Sequence, residues 1–569
     1  HFAQAAARSA SSLEAGRGTM AAACPKRFIN AEADIVQETV DGLIWTTPNL
    51  GRLDTYPDIK VVFRTDWTKD GVALISGGGA GHEPMHGGFV GKGMLTAAVS
   101  GETFASPTID AVLSAIVQVT GPKGCLLIIK NYTGDRLNFS LAAQRARTQF
   151  GLKVELVTTC DDVATSAERG IAGTLFVHKV AGAAAEAGKS LEEVKACASA
   201  VIDATASLGV SFSSVRRLKP EMIEESKMEV GLGIHGEPGA QTLDLAPAGK
   251  VVEVIMEGIL AGKRMAAEAP NGYAVLVNNL GGVPPQEMSL FAGALMKSKW
   301  ASSLRLVVGP AALCTSLDMN GVSLSLLRLT PELEGYLTAP TDVAAWPKAV
   351  APAFPKPVAG IKGLDPMEGV TASKDENVAQ LVEKACKALI DAKQKLDELD
   401  GKVGDADCGS TMASAATKIL EMKDSLPLAD PKAFCSCLSS LLGKTMGGSS
   451  GVLMSIMFMG MAGSLEKAEG KPWSEAGARA FMDGLQAMMD AGGASEGSRT
   501  MLDALCPAAK ALSEGGGLAG ARDAAAAGVE ATKDMAPRAG RSENVPESMW
   551  RGVPDPGAQA AAIVFAAMA

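Results

Sequence analysis

Histidine is scarce in this chain: five in 569 residues, and none after His235. Any proton transfer in the C-terminal half must therefore fall to other groups. Paired cysteines are missing as well. The ten cysteines contain no C-x-x-C, and Cys435-Ser-Cys437 is the only close pair. Neither a zinc site nor a disulfide framework follows, and a reducing compartment is the expectation. There is no basic excess. With 53 Lys+Arg against 63 Asp+Glu the net charge is −10, which excludes a sequence-independent nucleic-acid footprint but leaves room for local anion sites. The longest apolar stretch, GVLMSIMFMGMAG at 451–463, is too short to span a bilayer and reads as a buried helix. The common nucleotide fingerprints are also absent. G-x-G-x-x-G would need glycine where His82 stands, and the Gly-Lys-Ser/Thr runs at 188–190 and 443–445 lack the earlier glycine of a phosphate-binding loop.

What remains is an ordinary globular composition, 47% hydrophobic and 20% charged, on a chain too long for one core. Residues 1–30 carry Arg8, Arg17, Lys26 and Arg27 against the single acid Glu14, which fits an organelle transit peptide or a plain tail before a cytoplasmic protein. From 31 to 345, β-branched runs such as CLLIIK (125–130), VELVTT (154–159) and YAVLVNN (273–279) alternate with Ala-rich stretches, the mark of an α/β domain. Prolines at 347, 352, 355, 357 and 366 mark 346–372 as a linker. Beyond it, Val378, Leu381, Val382, Ala385, Leu389, Ala392, Leu396 and Leu399 step by threes and fours along one long helix, and 373–569 reads as all-α.

Two groups of residues carry chemistry. In the first, LISGGGAGHEP starts as a strand and breaks into glycine before His82, while IIKNYTGD places Lys130 at a strand end and Asp135 ahead of a helix. His235 stands in GLGIHGEPG, crowded by glycines that let other groups approach. Two histidines, a lysine and a carboxylate on loops after strands would supply a nucleophile, an acid/base pair and a cation to a carbonyl or hydroxyl substrate. Read singly, they are equally turn histidines, a solvated strand end and a helix N-cap. In the second group, Asp400, Asp405 and Asp407 lie among Gly401, Gly404 and Gly409; hard oxygens so close suit Mg²⁺ or Ca²⁺, or form a solvated loop. MGGSSGVLM sets Ser449 and Ser450 at a helix start, an anion cradle or a glycine junction.

Taken in order, SGGGAGHEP, KNYTGD, GLGIHGEPG, LDGKVGDADCGSTM, MGGSSG, GSRTMLDAL and DPGA resemble the two-domain, ATP-dependent dihydroxyacetone kinases. The resemblance implies an α/β domain that binds the triose and a C-terminal barrel of antiparallel helices that holds Mg²⁺-ATP. His235 would attack the ketone to form a hemiaminal. Gly79, Ala80, Gly81, His82, Lys130 and Asp135 would line the triose site, with His82 and Asp135 handling the proton of the attacking hydroxyl. Asp400, Asp405 and Asp407 would hold magnesium. Asp405, Ala406, Asp407, Cys408, Ser449, Ser450, Gly492, Thr500, Met501, Asp555, Pro556 and Gly557 would meet the nucleotide. Activity on glyceraldehyde, a homodimer and, in some members, cyclisation of FAD are further implications; no nucleic-acid or membrane partner is implied. Two departures stand out: Ser498 where relatives commonly carry aspartate, and Gly540-Arg541-Ser542-Glu543-Asn544 in place of GRASY. An Asp-x-Asp phosphatase using Asp405 would need a buried strand leading in. A regulatory subunit is the non-enzymatic rival.

Overall fold

The structure is a computed structural model that describes residues 28–213, 223–361, 369–468 and 470–569. The expected transit segment falls, through residue 27, outside the described residues, as does 362–368 of the expected linker. The chain divides into two compact units between Pro355 and Lys356.

The first unit is built on two six-stranded sheets. One contains β1 (Leu50–Arg52), β2 (Val61–Arg64), β3 (Ala73–Ala80), β4 (Ala97–Thr103), β5 (Cys125–Lys130) and β6 (Val154–Thr159) in the order β1-β2-β4-β3-β5-β6. Its centre is parallel, and the buried runs of Leu, Ile and Val there are what a sheet covered on both faces requires. The second contains β7 (Thr205–Ser211), β8 (Lys227–Val230), β9 (Gln241–Asp244), β10 (Tyr273–Asn279), β11 (Leu304–Ala311) and β12 (Gly321–Arg328), ordered β11-β10-β12-β7-β8-β9 and mostly antiparallel. Leu74, Leu126, Leu276 and Leu327 belong to one core fed by both sheets. The strands over CLLIIK, VELVTT and YAVLVNN lie where the β-branched runs put them.

β3 does not end at its glycines as the sequence suggested; it continues through them to Ala80. A side chain at Gly77 would collide with the Val99 carbonyl on the neighbouring strand, and one at Gly79 would come within 2.7 Å of the Ala105 nitrogen. These glycines admit a neighbouring backbone rather than breaking the strand. The first unit also extends past residue 345: Trp346 and Ala349 are buried in its core, and Val350 pairs with Val307.

Past the isolated Ser373–Pro427 bridge, the regular elements of the second unit are helical among the described residues. The single long helix expected from Val378 to Leu399 is two, Glu376–Asp391 and Lys393–Asp400, with a step at Ala392. After the step, the Lys393 carbonyl lies where a side chain at Gly409 would stand, so backbone meets backbone at that crossing. The apolar stretch at 451–463 is part of a longer helix, Gly448–Lys467, which has the length and composition to cross a membrane. It packs between Pro431–Thr445 and Trp473–Gly492, but much of it is not buried. The helices border an apolar cavity of about 640 Å³ lined by residues such as Leu381, Phe434, Met457 and Phe565.

Candidate active site

Loops from both sheets of the first unit bring His82 and His235 together. His82 follows β3 and is fully buried. Its Nδ1 lies 2.9 Å from the Thr315 carbonyl and its Nε2 lies 3.1 Å from Nε2 of His235. A carbonyl only accepts, so Nδ1 of His82 is the protonated nitrogen. His235 follows β8 in a turn closed by the Gly233–Glu237 and Gly236–Gly233 backbone bonds. Its Nδ1 lies 3.0 Å from Glu237 Oε1, and its backbone N–H donates to Oε2 at 2.9 Å. A side chain at Gly233 would collide with the Glu237 carboxylate, so glycine there is what admits the clamp.

With both Nδ1 atoms donating outward, one proton must lie between the two Nε2 atoms for them to sit at hydrogen-bond distance. Burial, then the charges of Lys130 and His235, hold His82 well below the usual histidine range. His82 therefore offers Nε2 as an acceptor to the Nε2 of His235, and Glu237 faces the other side of that ring. Burial alone would raise the Glu237 carboxyl, but the hydrogen bond and charge of His235 bring it down to about 2. The His235 side chain keeps 20% of its exposure, so a substrate can reach it. Tyr132 and Phe104 meet its ring edge-on, at centroid distances of 4.8 and 5.5 Å.

Lys130 ends β5 with 1% exposure, and Asp135 lies in the first turn of helix Thr133–Phe150. Asp135 is not the N-cap, a position Tyr132 occupies; its Oδ1 accepts from Ser106 Oγ at 2.5 Å. Burial pushes its carboxyl up, against the pull of Lys130, Ser106 and His235. Gly79, Ala80 and Gly81 form the strand end beside these groups, with the Gly81 N–H donating to Glu83 and the Ala80 carbonyl accepting from Phe104. The structure thus joins His82 directly to His235, sets Asp135 within electrostatic reach of His235 and Lys130, and adds Glu237, Ser106 and Thr315, which the sequence reading had not assigned. Glu237 was legible two residues after His235. Ser106 and Thr315 carried no local signal.

In the second unit Asp400 closes helix Lys393–Asp400, and its Oδ2 accepts the N–H groups of Asp407 and Cys408 at 3.0 and 3.2 Å. One oxygen from each of Asp400, Asp405 and Asp407 lies within 4.8 Å of the others. Three hard donors so close, with Asp405 and Asp407 exposed, fit a divalent cation such as Mg²⁺. The turn between them runs through Ala406 at φ +63°, a left-handed conformation rare for alanine.

These carboxylates border a cleft of about 820 Å³. Cys408, Ser449, Ser450, Gly492, Thr500, Met501, Asp555, Pro556 and Gly557 line it too; Ala406 only shapes the turn. Ser449 and Ser450 stand in the first turn of Gly448–Lys467, whose N–H groups suit phosphate. Asp503 holds the 497–500 loop by accepting from the Gly497 and Thr500 N–H groups. Arg499, not assigned from sequence, also borders the cleft; it lies fully buried, over the Trp550 ring, and donates to the Val553 carbonyl. Gly540 lines the cleft beside the divergent segment. The element leading to Asp405 is a helix, which removes the buried strand that an Asp-x-Asp phosphatase needs.

A Dak1 domain model matches residues 41–345 and a DAK2 domain model matches 402–569. The dihydroxyacetone kinase of Citrobacter freundii is 42% identical, covering 95% of this chain and 98% of its own length. The human triokinase/FMN cyclase is 38% identical, with coverage of 95% and 98%. Among solved structures, the C. freundii dihydroxyacetone kinase in complex with AMP-PNP and Mg²⁺ is similar at TM-score 0.65 and 41% identity, over 96% of this chain and 99% of that one. Both domain types on one chain, in the same order and over nearly the full length of these relatives, mean that this protein belongs to the dihydroxyacetone kinase family.

Proposed function

We infer that the protein transfers the γ-phosphoryl group of ATP to a terminal hydroxyl of dihydroxyacetone while His235 holds the ketone covalently. One observation carries the reading: His235 is hydrogen-bonded through both ring nitrogens, to Glu237 on one side and to a buried, neutral histidine on the other. His82 takes the Nε2 proton and frees the lone pair. Nε2 bonds to the carbonyl carbon, the C=O π pair moves to oxygen, and His82 returns its proton there to complete the hemiaminal. His82 binds that proton weakly, so it gives it up readily to the developing alkoxide. The ring of His235, now carbon-bound at Nε2 and protonated at Nδ1, is cationic, and the ionised Glu237 balances it.

Asp135, raised by burial, then accepts the proton of the hydroxyl that attacks phosphorus, and Lys130 offsets the charge that develops. In the helical unit, Asp400, Asp405 and Asp407 would hold magnesium, which would neutralise the ATP phosphates. Ser449, Ser450 and their backbone would cradle those phosphates. Glyceraldehyde as a second acceptor, in line with the triokinase/FMN cyclase relatives, belongs to the same reading, as do assembly as a homodimer and a cytoplasmic site of action. An ATP-dependent assay with dihydroxyacetone and glycerol side by side tests it. Glycerol has nearly the same size but no carbonyl and should be a very poor acceptor; equal rates would remove the covalent role of His235.

A further inference from the structure

His86 lies four residues beyond His82 and is 5% exposed. Its Nδ1 is 3.1 Å from Ser76 Oγ, and that hydroxyl gives its proton to the Ile128 carbonyl at 2.7 Å. Ser76 therefore faces His86 with a lone pair, so Nδ1 is the protonated nitrogen of the ring. Nε2 is left as a bare acceptor, buried and without a partner. Burial, then the nearby charge of Lys130, hold the ring well below the usual histidine range, so it stays neutral. One flank is covered by His178, with ring centroids 5.4 Å apart. A buried acceptor with no donor costs stability unless something supplies one.

The surroundings of Nε2 are located from Gly78. A methyl group there would lie 3.6 Å from His86 Nε2, 3.6 Å from Asp135 Oδ2 and 3.4 Å from Lys130 Cε, all ordinary contacts. Its neighbours differ. At Gly77 and Gly79 a side chain would strike backbone, and at Gly81 it would come within 2.7 Å of the Phe104 ring. Packing accounts for glycine at those three positions but not at Gly78. There the missing side chain leaves a methyl-sized space between a neutral acceptor, the carboxylate that serves the reacting hydroxyl, and the lysine.

We propose that His86 is the residue that recognises the second hydroxyl of the substrate, its Nε2 accepting the proton of the hydroxyl that is not phosphorylated. The proposal rests on the triose being held at His235 beside Asp135. A ketone with hydroxyls on both flanking carbons presents one to Asp135 and has the other free to donate. A ketone with a single hydroxyl can satisfy only one of the two groups.

The test compares dihydroxyacetone with hydroxyacetone, which lacks one hydroxyl, on the full-length chain. Adduct formation on His235 is titrated by native mass spectrometry, and KM values for dihydroxyacetone and ATP are measured alongside. The wild type should hold dihydroxyacetone about tenfold more tightly, the effect of one net hydrogen bond. His86→Asn keeps a donor for Ser76 but places no atom at Nε2. It should bind the two ketones equally and raise KM for dihydroxyacetone about tenfold, with KM for ATP unchanged. His86→Gln, whose amide oxygen can reach the Nε2 position, should recover part of the preference. A full preference in His86→Asn would overturn the proposal. If that variant does not fold, Gly78→Ala gives the answer: its methyl fits without collision and crowds out the second hydroxyl, so a retained preference there overturns the proposal equally. No adduct with either ketone in the wild type would overturn the His235 reading and this proposal with it.

Discussion

The two units solve opposite electrostatic problems. In the α/β unit His82, His86, Lys130 and Asp135 are all nearly inaccessible to solvent, and burial is the largest influence on His82, His86 and Asp135. In the helical unit Asp405 and Asp407 are exposed and Asp400 is half-buried. Covalent chemistry at a carbonyl needs proton affinities matched to each other, and removing water is the strongest way to shift them. A metal–phosphate site needs charge that an incoming ion can reach, and deeply buried carboxylates would instead take up protons. The same chain therefore uses desolvation in one half and solvation in the other.

Separating the halves is the most severe test of that division. Cutting after Pro355, where the units divide, should give one piece that forms the His235 adduct and one that binds Mg²⁺-ATP. Neither alone should phosphorylate the ketone, and mixing should restore a slower, concentration-dependent rate, since the tether no longer supplies its effective concentration. Full turnover by either piece would break the comparison. Within the buried half, His235→Ala should lower turnover by up to about 10⁶-fold, as loss of an activated nucleophile does elsewhere. Mg²⁺-ATP binding, followed by calorimetry, should not change.

On the exposed side, Asp405→Asn should reduce turnover roughly 10²- to 10³-fold, the kinetic equivalent of several kcal/mol of lost charge stabilisation. Its adduct and melting temperature should stay at wild-type values, because the side chain is exposed. A lower melting point would mean that this carboxylate holds the fold as well.

The smallest effect sharpens the contrast at its exception. Asp555 borders the nucleotide cleft yet is buried, and burial raises its carboxyl to about 6 although it caps helix Pro556–Met568 through the Ala558 N–H. The folded state therefore holds a proton that the unfolded chain, with a carboxyl near 3.9, has released. Stability falls as pH rises from about 4 to about 6, and above that the ionised group costs about 3 kcal/mol. Asp555→Asn keeps the cap and removes the charge. Its melting temperature should exceed wild type at pH 7 and converge with it near pH 4; parallel curves would contradict the buried charge.

Much of this was legible along the chain. Strands β5, β6 and β10 follow from runs of β-branched residues, and the helical second half follows from its period, because both patterns are local. The acid triplet was readable for the same reason: Asp400, Asp405 and Asp407 lie within one turn of chain, so their proximity needs no fold. The step at Ala392 was not readable. It coincides with the crossing at Gly409, a contact between helices that no periodicity encodes.

The sequence by itself determined which residue types were available and where each loop would carry them: a histidine among glycines, a lysine at a strand end, three aspartates after a helix. Only the tertiary structure decided what those residues are chemically. His82 and His235 stand 153 positions apart, and the Thr315 carbonyl that fixes the protonation of His82 is 233 positions away. Proton affinity depends on solvent exclusion and on charges a few ångströms off, quantities that exist only once the two sheets have packed together.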